Sequence, residues 1–318
     1  MPLLVAFVLC LGLTPLLARV GLRWGLVDRP SHDGLKIHTE PKPVTGGIGV
    51  VAAALGGAAM AGALAPETAG AIVLMLTVGI VDDARTLPPL VRLAAQIGAG
   101  TLLAAGGLTF EPLGDLGPLA VVLAVPLLTN GMNIVDGQDG LAAGLALVAA
   151  TGLWAIGAAQ ASADPLGPAI IGALIAFLLW NRPPASVFLG DGGAYAVGCS
   201  LAVLAAGSSG TWASLLGTVL CLGVFALELI STVLRRAVRG RSLLRGDRGH
   251  VYDRLADRLG DRERATAVMV MGGVVVAAIG WLVSRAQIGV ASAVVASVAV
   301  AGWIAVGGLL GDPLRRSR

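Results

Sequence analysis

Residues 119–158 read LAVVLAVPLLTNGMNIVDGQDGLAAGLALVAATGLWAIGA, two apolar runs joined by a short acidic segment. Asp136 and Asp139 lie in that segment, each followed by glycine, at the edge of what the apolar runs predict to be hydrocarbon. Ionisable groups next to lipid are costly and usually carry a function. The stretch therefore predicts two membrane helices and a candidate site at their junction.

The composition is that of an integral membrane protein. Of the 318 residues, 56% are hydrophobic and 13% are charged, whereas soluble domains carry about 25% charged residues. Cys10, Cys199 and Cys221 lie in separate apolar runs, which favours small core residues over a disulfide or a metal site. The first apolar run has no charged segment before it, so we expect a retained helix and not a signal peptide. The length fits one domain, residues 1–318.

Hydrophobic windows predict an all-α, polytopic membrane fold with about eleven transmembrane helices. A helix needs about 20 mostly apolar residues to cross a bilayer. The predicted spans are residues 2–19, 45–63, 66–81, 91–106, 117–132, 141–158, 166–181, 193–207, 211–234, 266–284 and 287–310.

The basic residues assign a side to each predicted loop. Of the 22 lysines and arginines, all but Arg285 fall in the loops after odd-numbered spans, at the span ends next to those loops, or in the C-terminal tail. Positive residues mark the cytoplasmic side, so the N-terminus is predicted outside and the C-terminus in the cytoplasm. The sequence predicts a multi-pass plasma-membrane protein whose candidate site residues, described next, face the cytoplasm.

An acidic pair ends the third predicted span. Asp82 and Asp83 lie in the stretch GIVDDARTLPPLVRLAAQ, residues 79–96. Adjacent carboxylates repel each other unless a cation or a shared proton relieves them, and at a helix C-terminus they oppose the macrodipole. We favour a ligand site here over the alternative, a solvated helix end.

Four oxygen-bearing side chains follow in the acidic segment. Asn130, Asn133, Asp136 and Asp139 recur every three residues, which aligns them on one face if the helix continues. The glycines after both aspartates also suit a helix that breaks there, or the close approach of a ligand. Such groups suit a hard cation such as magnesium, or the hydroxyls and amides of a polar substrate.

Two later segments are polar as well. FLGDGGAYAVG, residues 188–198, places Asp191 among glycines, which alone is ordinary turn chemistry. The predicted cytoplasmic loop 235–264 holds ten arginines, whose forks match phosphate oxygens; setting topology or binding anionic lipid are the alternatives. His250, two residues after Arg248, is predicted to contact phosphate and not to be buried. Together the clusters predict a magnesium-dependent site for a phosphorylated substrate.

In this order the clusters resemble the polyprenyl-phosphate N-acetylhexosamine-1-phosphate transferases, a superfamily of glycosyltransferase family 4 type. The resemblance covers residues 28–255, and the run NIVDGQDGLA is its specific motif. Five elements match. They are the DD pair (Asp82 and Asp83) followed by LPP, Arg92 and Gln96; the NxxDGxDGLA run (Asn133, Asp136 and Asp139); GD-x-G with Asp191; D-x-x-H (Asp247 and His250); and the upstream pattern H…P-x-P…GG (His38, Pro41, Pro43, Gly46 and Gly47).

The chain also departs from the family pattern. Members usually carry a hydroxyl residue and then serine where this chain has GDGGA, and many carry H-x-H-H where it has HVYD. The basic residue after the DD pair is often lysine, whereas here it is Arg92. These departures disfavour the phospho-MurNAc-pentapeptide translocase subgroup, and they leave a catalytically altered family member as an alternative.

The resemblance implies a reaction. A polyprenyl phosphate, typically undecaprenyl phosphate, attacks the β-phosphate of a UDP-sugar; UMP leaves and a lipid-diphospho-sugar forms, the first membrane step of cell-envelope glycan synthesis. The expected sugar is an N-acetylhexosamine, with N-acetylglucosamine as the default. The expected cofactor is Mg²⁺, with Mn²⁺ as a substitute. Its expected ligands are Asp191 and either Asp82 or Asp83, one of which could instead take the proton of the lipid phosphate.

The resemblance also implies site residues and partners. The expected catalytic residues are Asp82, Asp83, Asp191 and His250. The expected substrate-binding residues are Lys36, His38, Arg92, Asn130, Asn133, Asp136, Asp139 and Arg248. The partners are the UDP-sugar, the polyprenyl phosphate and the lipid bilayer, with no nucleic acid, and a homodimer is compatible with the family.

A transporter is the competing class, because membrane acids and glycine-rich spans also occur there. A transporter would place its charged groups near the bilayer midplane. Glu228 is the only acidic residue well inside a predicted span, where it could pair with Arg235 or with a neighbouring helix. The other acids cluster at one face, which favours the transferase.

Overall fold

A computed structural model of the protein describes residues 1–30, 39–62, 64–162, 164–238, 240 and 249–285. The eleventh predicted span and the C-terminal tail lie outside the described residues. So do three predicted substrate-binding residues: Lys36, His38 and Arg248.

The described chain is almost entirely helical, apart from two short antiparallel strands. The helices are α1 (Pro2–Trp24), α2 (Gly46–Ala59), α3 (Pro66–Ala84), α4 (Pro89–Ala105), α5 (Gly117–Val135), α6 (Leu141–Ala159), α7 (Leu166–Asn181), α8 (Gly190–Gly207), α9 (Trp212–Cys221), α10 (Gly223–Val238), α11 (Val251–Leu259) and α12 (Arg262–Ser284). The strands are β1 (Val27–Asp28) and β2 (Lys42–Pro43), and a 3₁₀ segment, Glu111–Leu116, precedes α5.

The first ten predicted spans all fall on helical residues. Judged by length and composition, four helical segments of the described chain could cross a membrane: α1, Glu111–Val135, α6 and α12. The helices α2, α4 and α7 are apolar but shorter. The protein is therefore an all-α, multi-pass membrane protein, while the count of eleven spans stays a prediction.

The ninth predicted span is wrong as a single helix. α9 and α10 are separate helices, bent by 64° at a break next to Leu222. The predicted basic loop after them also contains α11, which apolar windows do not indicate because arginines and aspartates alternate with its apolar residues along the sequence.

The central helix of the bundle is α8. Sixteen of its eighteen residues are buried, and it packs against α2, α3, α5 and α6. A helix that is apolar on all sides is a core helix. Because α8 begins at Gly190, its first turn carries Asp191 to the end of the bundle.

Glycines allow two neighbouring helices to contact α8 backbone to backbone. A Cβ atom on Gly79 of α3 would collide with the backbone of Asp191, and one on Gly47 of α2 would collide with Gly193. Small residues at a helix crossing permit this approach. The C-terminal end of α3 is therefore fixed beside the first turn of α8.

The connections sort to two ends of the bundle. Residues between α1 and α2, at the end of α3, between α5 and α6, and between α7 and α8 line one large cavity. Residues following α4, α6 and α8 line a smaller pocket. Successive helices among the first eight thus alternate in direction, as expected of successive membrane spans.

Candidate active site

One cavity of about 700 Å³ lies at the first of these ends. The structure brings together there the five aspartates that the sequence analysis singled out in three segments. They are Asp82, Asp83, Asp136, Asp139 and Asp191. The wall also carries Asp28, Glu40 and Glu263, and two cations, Lys42 and Arg262. The cavity is therefore strongly acidic.

Asp83 caps the central helix. Its two carboxylate oxygens accept the backbone N–H groups of Asp191 and Gly192, at 3.1 and 3.2 Å. The first N–H groups of a helix have no partner within the helix and carry the positive end of its dipole. The carboxylate of Asp83 is unfavourable at the C-terminal, negative end of its own helix, α3. It is favourable at the N-terminal, positive end of α8.

Asp191 is oriented by α5. Its Oδ1 atom accepts a hydrogen bond from Nδ2 of Asn133, in the last turn of α5, at 2.6 Å. Asn133 is thus a neighbour of the aspartate and is not itself among the residues that line the cavity. Asn133 thus holds one oxygen of Asp191 in place, while Asp191 itself lines the cavity.

Asp82 belongs to a network that the sequence analysis did not find. Its Oδ1 accepts the backbone N–H of Leu87 at 2.6 Å, and its Oδ2 accepts the hydroxyl of Tyr195 at 2.6 Å and an N–H of Arg92 at 3.1 Å. Tyr195 follows Asp191 by four residues, so it lies one turn further along α8. Arg92 is thus paired with Asp82 and does not line the cavity.

The acidic segment is a break between two helices. α5 ends at Val135 and α6 begins at Leu141, so the prediction of one continuous helical face is wrong for Asp136 and Asp139, and the alternative of a breaking helix is confirmed. Asp139 accepts the backbone N–H of Ala185 at 2.8 Å. Burial, and then the charges of the neighbouring aspartates, raise the pKa of Asp136 well above its usual value.

Asn130 points away from the cavity. Its amide donates to Oε1 of Gln96 on α4 at 2.9 Å and to the carbonyl of Pro126 at 2.7 Å. Gln96 is almost fully buried. The pair therefore joins α5 to α4, and the predicted contact of Asn130 with a substrate has no support in its position.

The prediction that His250 is not buried is wrong. His250 is only 8% exposed and precedes the first turn of α11. Its Nδ1 lies 3.1 Å from the hydroxyl of Thr232, and the carboxylate of Glu228 accepts the N–H of Val251 at 3.3 Å. Glu228 therefore pairs with a neighbouring helix, the second option left open by the sequence, and it serves to hold α11 against α10.

Tyr252 ties α11 to the acidic segment. Its hydroxyl donates to the carbonyl of Ile134 at 3.0 Å, and its carbonyl accepts from the amide of Gln138 at 3.4 Å. The hydroxyl rests against Gly137, where a Cβ atom would collide with it. Tyr252 therefore contacts the loop that carries Asp136 from the side of α11.

The residues present fit a magnesium ion that arrives with its phosphate ligands. Within the described residues, no three His, Cys, Asp or Glu side chains form a ready-made metal site. Magnesium, however, usually takes one or two carboxylates and completes its shell with phosphate oxygens and water. The carboxylates of Asp83, Asp139 and Asp191 place like charges close to Asp136. A divalent cation would relieve this repulsion.

The Tyr195 hydroxyl has a measurable role in stability. We expect Tyr195→Phe to destabilise the folded protein by about 1.5–3 kcal/mol, because it removes a buried hydrogen bond to a charged partner. Tyr252→Phe is the matched control and should cost only about 0.5–1.5 kcal/mol, since its partner is a neutral carbonyl. Thermal unfolding in detergent measures both. Equal losses in the two variants would contradict the charged network.

The sequence matches the model of a known protein family. The model of the family described as "Glycosyl transferase family 4" matches residues 66–209, which include the DD pair, the acidic segment and Asp191.

Similar proteins carry names of one type. The chain is 27% identical to a "Probable undecaprenyl-phosphate N-acetylglucosaminyl 1-phosphate transferase" of Bacillus subtilis, over 79% of this chain and 75% of that protein. It is 27% identical to the "Decaprenyl-phosphate N-acetylglucosaminephosphotransferase" of Mycolicibacterium smegmatis, over 79% and 73%. It is 29% identical to a "Phospho-N-acetylmuramoyl-pentapeptide-transferase" of Gloeothece citriformis, over 73% and 71%. These matches support, for this chain, the superfamily of polyprenyl-phosphate N-acetylhexosamine-1-phosphate transferases within glycosyl transferase family 4.

Proposed function

We propose that the protein transfers a sugar-1-phosphate from a UDP-sugar to a polyprenyl phosphate and releases UMP. The observation that carries the proposal is the meeting of five family aspartates in one cavity at one end of a membrane bundle. Undecaprenyl phosphate is the proposed acceptor and N-acetylglucosamine the proposed sugar, since the relatives' names combine a polyprenyl phosphate with that sugar.

The reaction requires two anions to be aligned while charge is neutralised. A phosphate monoester has a second pKa of about 6, so part of the lipid phosphate arrives with a proton that must leave. Asp83 is a better acceptor for that proton than Asp82, because the oxygens of Asp82 already accept three hydrogen bonds, one from Arg92. Asp83 accepts only backbone N–H groups and lines the cavity.

Magnesium is part of the proposal. Asp191 would hold the ion, and Asn133 would keep the carboxylate of Asp191 in place. When bound, the ion would offset the negative charge of the diphosphate and stabilise the leaving phosphate. The segment with Asp136 and Asp139 would position the nucleotide-sugar, and Tyr252 would hold that segment from behind.

We further propose that the protein crosses the plasma membrane with all eleven predicted spans. The cavity then opens to the cytoplasm. The loops that line it are those after the odd-numbered helices, where the basic residues of the sequence concentrate. Positive loops are retained in the cytoplasm, and nucleotide-sugars are made there.

Release of UMP tests the function directly. Protein purified in detergent is incubated with undecaprenyl phosphate, Mg²⁺ and a panel of UDP-sugars. We expect UMP to form only when the lipid phosphate and a divalent cation are both present, with Mn²⁺ supporting a lower rate. Release of UMP without the lipid, or none with any donor, would contradict the proposal.

A transporter is the weaker candidate. Its charged groups should lie near the bilayer midplane, whereas the aspartates here meet at the ends of helices, and Glu228 is engaged by α11. Uptake of a solute into vesicles without UMP release would favour that alternative.

A further inference from the structure

Lys42 is an unusual residue in the wall of the acidic cavity. Of the two cations there, Arg262 has an interaction partner, whereas the side chain of Lys42 forms no hydrogen bond or ion pair with any described residue. The same wall carries eight carboxylates.

The backbone of Lys42 is held rigidly. β2 pairs with β1 in the register Val27 with Pro43 and Asp28 with Lys42. The carbonyl of Pro43 accepts the N–H of Phe188 at 2.9 Å, which attaches the strand to the segment that leads into α8. Lys42 is therefore a fixed part of the wall and not the tip of a loose loop.

The strand aims Lys42 into the cavity. Successive side chains of a strand point to opposite faces, and Pro43 is buried while Lys42 and Val44 line the cavity. The carbonyl of Val44 lies against Gly190, beside Oδ2 of Asp83. Two residues of strand span about 6.6 Å, a distance that the flexible four-carbon stem of lysine can bridge.

We propose that Lys42 binds a phosphate oxygen of the substrate, across the cavity from Asp83 and Asp191. An acidic cavity that receives a diphosphate or a lipid phosphate needs a cation to offset the added negative charge, and lysine binds phosphate as a point charge. Two substrates of the proposed function carry this chemistry, the UDP-sugar and the polyprenyl phosphate. The inference rests on that function and adds Lys42, which lies within the upstream pattern from His38 to Gly47 but is not one of its matching residues.

Binding measurements on Lys42→Met test the assignment. The Kd values for UDP with Mg²⁺ and for undecaprenyl phosphate are measured separately on protein in nanodiscs, next to the KM values of the UMP-release assay. We expect one Kd and its matching KM to rise about 10- to 100-fold, the size of a hydrogen bond to a charged group, with partial recovery in Lys42→Arg. The ligand whose Kd rises identifies the phosphate that Lys42 binds.

Arg23→Met is the matched control, because it removes an equal charge from an exposed position at the end of α1, away from the cavity. It should leave both Kd values unchanged. If Lys42→Met also leaves both unchanged, the assignment is overturned and Lys42 is only a wall residue beside Asp28. This binding result holds whether or not the wild-type protein releases UMP, so the two proposals fail separately.

Discussion

Asp191→Asn is expected to abolish UMP release while the protein still folds. Asparagine has the same shape as aspartate, and its carbonyl oxygen can still accept the hydrogen bond from Asn133 that holds residue 191 in place. The change removes the negative charge proposed to bind the metal, which supplies several kcal/mol of transition-state stabilisation. Since each 1.36 kcal/mol is a factor of ten in rate, we expect a loss of at least about 10³-fold.

Asp164→Asn is the control for this variant. Asp164, like Asp191, accepts a hydrogen bond near the start of a helix, in its case from the backbone N–H of Leu166 at 2.8 Å, but it lies between α6 and α7, away from the acidic cavity. Its replacement should leave turnover near the wild-type value. If Asp191→Asn also turned over near that value, Asp191 would be removed from the metal site, and the proposed binding of the ion there would fail.

Gly79→Ala is expected to have the largest effect on folding. The added methyl group would collide with the backbone of Asp191 at the crossing of α3 and α8, and a backbone on a central helix cannot move aside as a flexible side chain can. Overpacking of a core costs about 1–3 kcal/mol and occasionally more, so we expect at least about 3 kcal/mol here. The yield of monodisperse protein and its thermal unfolding in detergent measure the effect.

The control is Gly98→Ala on the neighbouring helix α4. A Cβ atom at Gly98 meets no other atom within 4 Å, and alanine is a better helix former than glycine by about 1 kcal/mol. This variant should be as stable as the wild type or more so. A Gly79→Ala protein that unfolds at the wild-type temperature would mean that α3 and α8 do not touch at this point.

The helices were predictable because apolar windows carry the signal by themselves. The first ten spans fall on helical residues for that reason, and the acidic segment was identified because charged residues between apolar runs are rare. The bend between α9 and α10 was missed, since Leu222 sits in sequence that is apolar on both sides. A window of composition cannot distinguish a straight apolar helix from a broken one.

The partners of the site residues were not predictable from one sequence. Arg92 was predicted to meet substrate, but Tyr195, 103 residues away, and Asp82 hold it. The four-residue spacing of Asp191 and Tyr195 indicates that both lie on one face of α8. Only the packing of α3 against α8 shows that Tyr195 meets Asp82. Tyr195 also supplies a hydroxyl directly after the GDGGA stretch, one turn beyond Asp191.

The burial of α8 separates the site from the surrounding lipid. Sixteen of its eighteen residues are enclosed by other helices, whereas only four of the 23 residues of α1 are buried. Hydrophobic mismatch between a protein and a thin or thick bilayer is accommodated by tilting and by residues that contact acyl chains. Peripheral helices such as α1 therefore make this adjustment. The position of α8, and with it that of Asp191, is set by contacts with neighbouring helices.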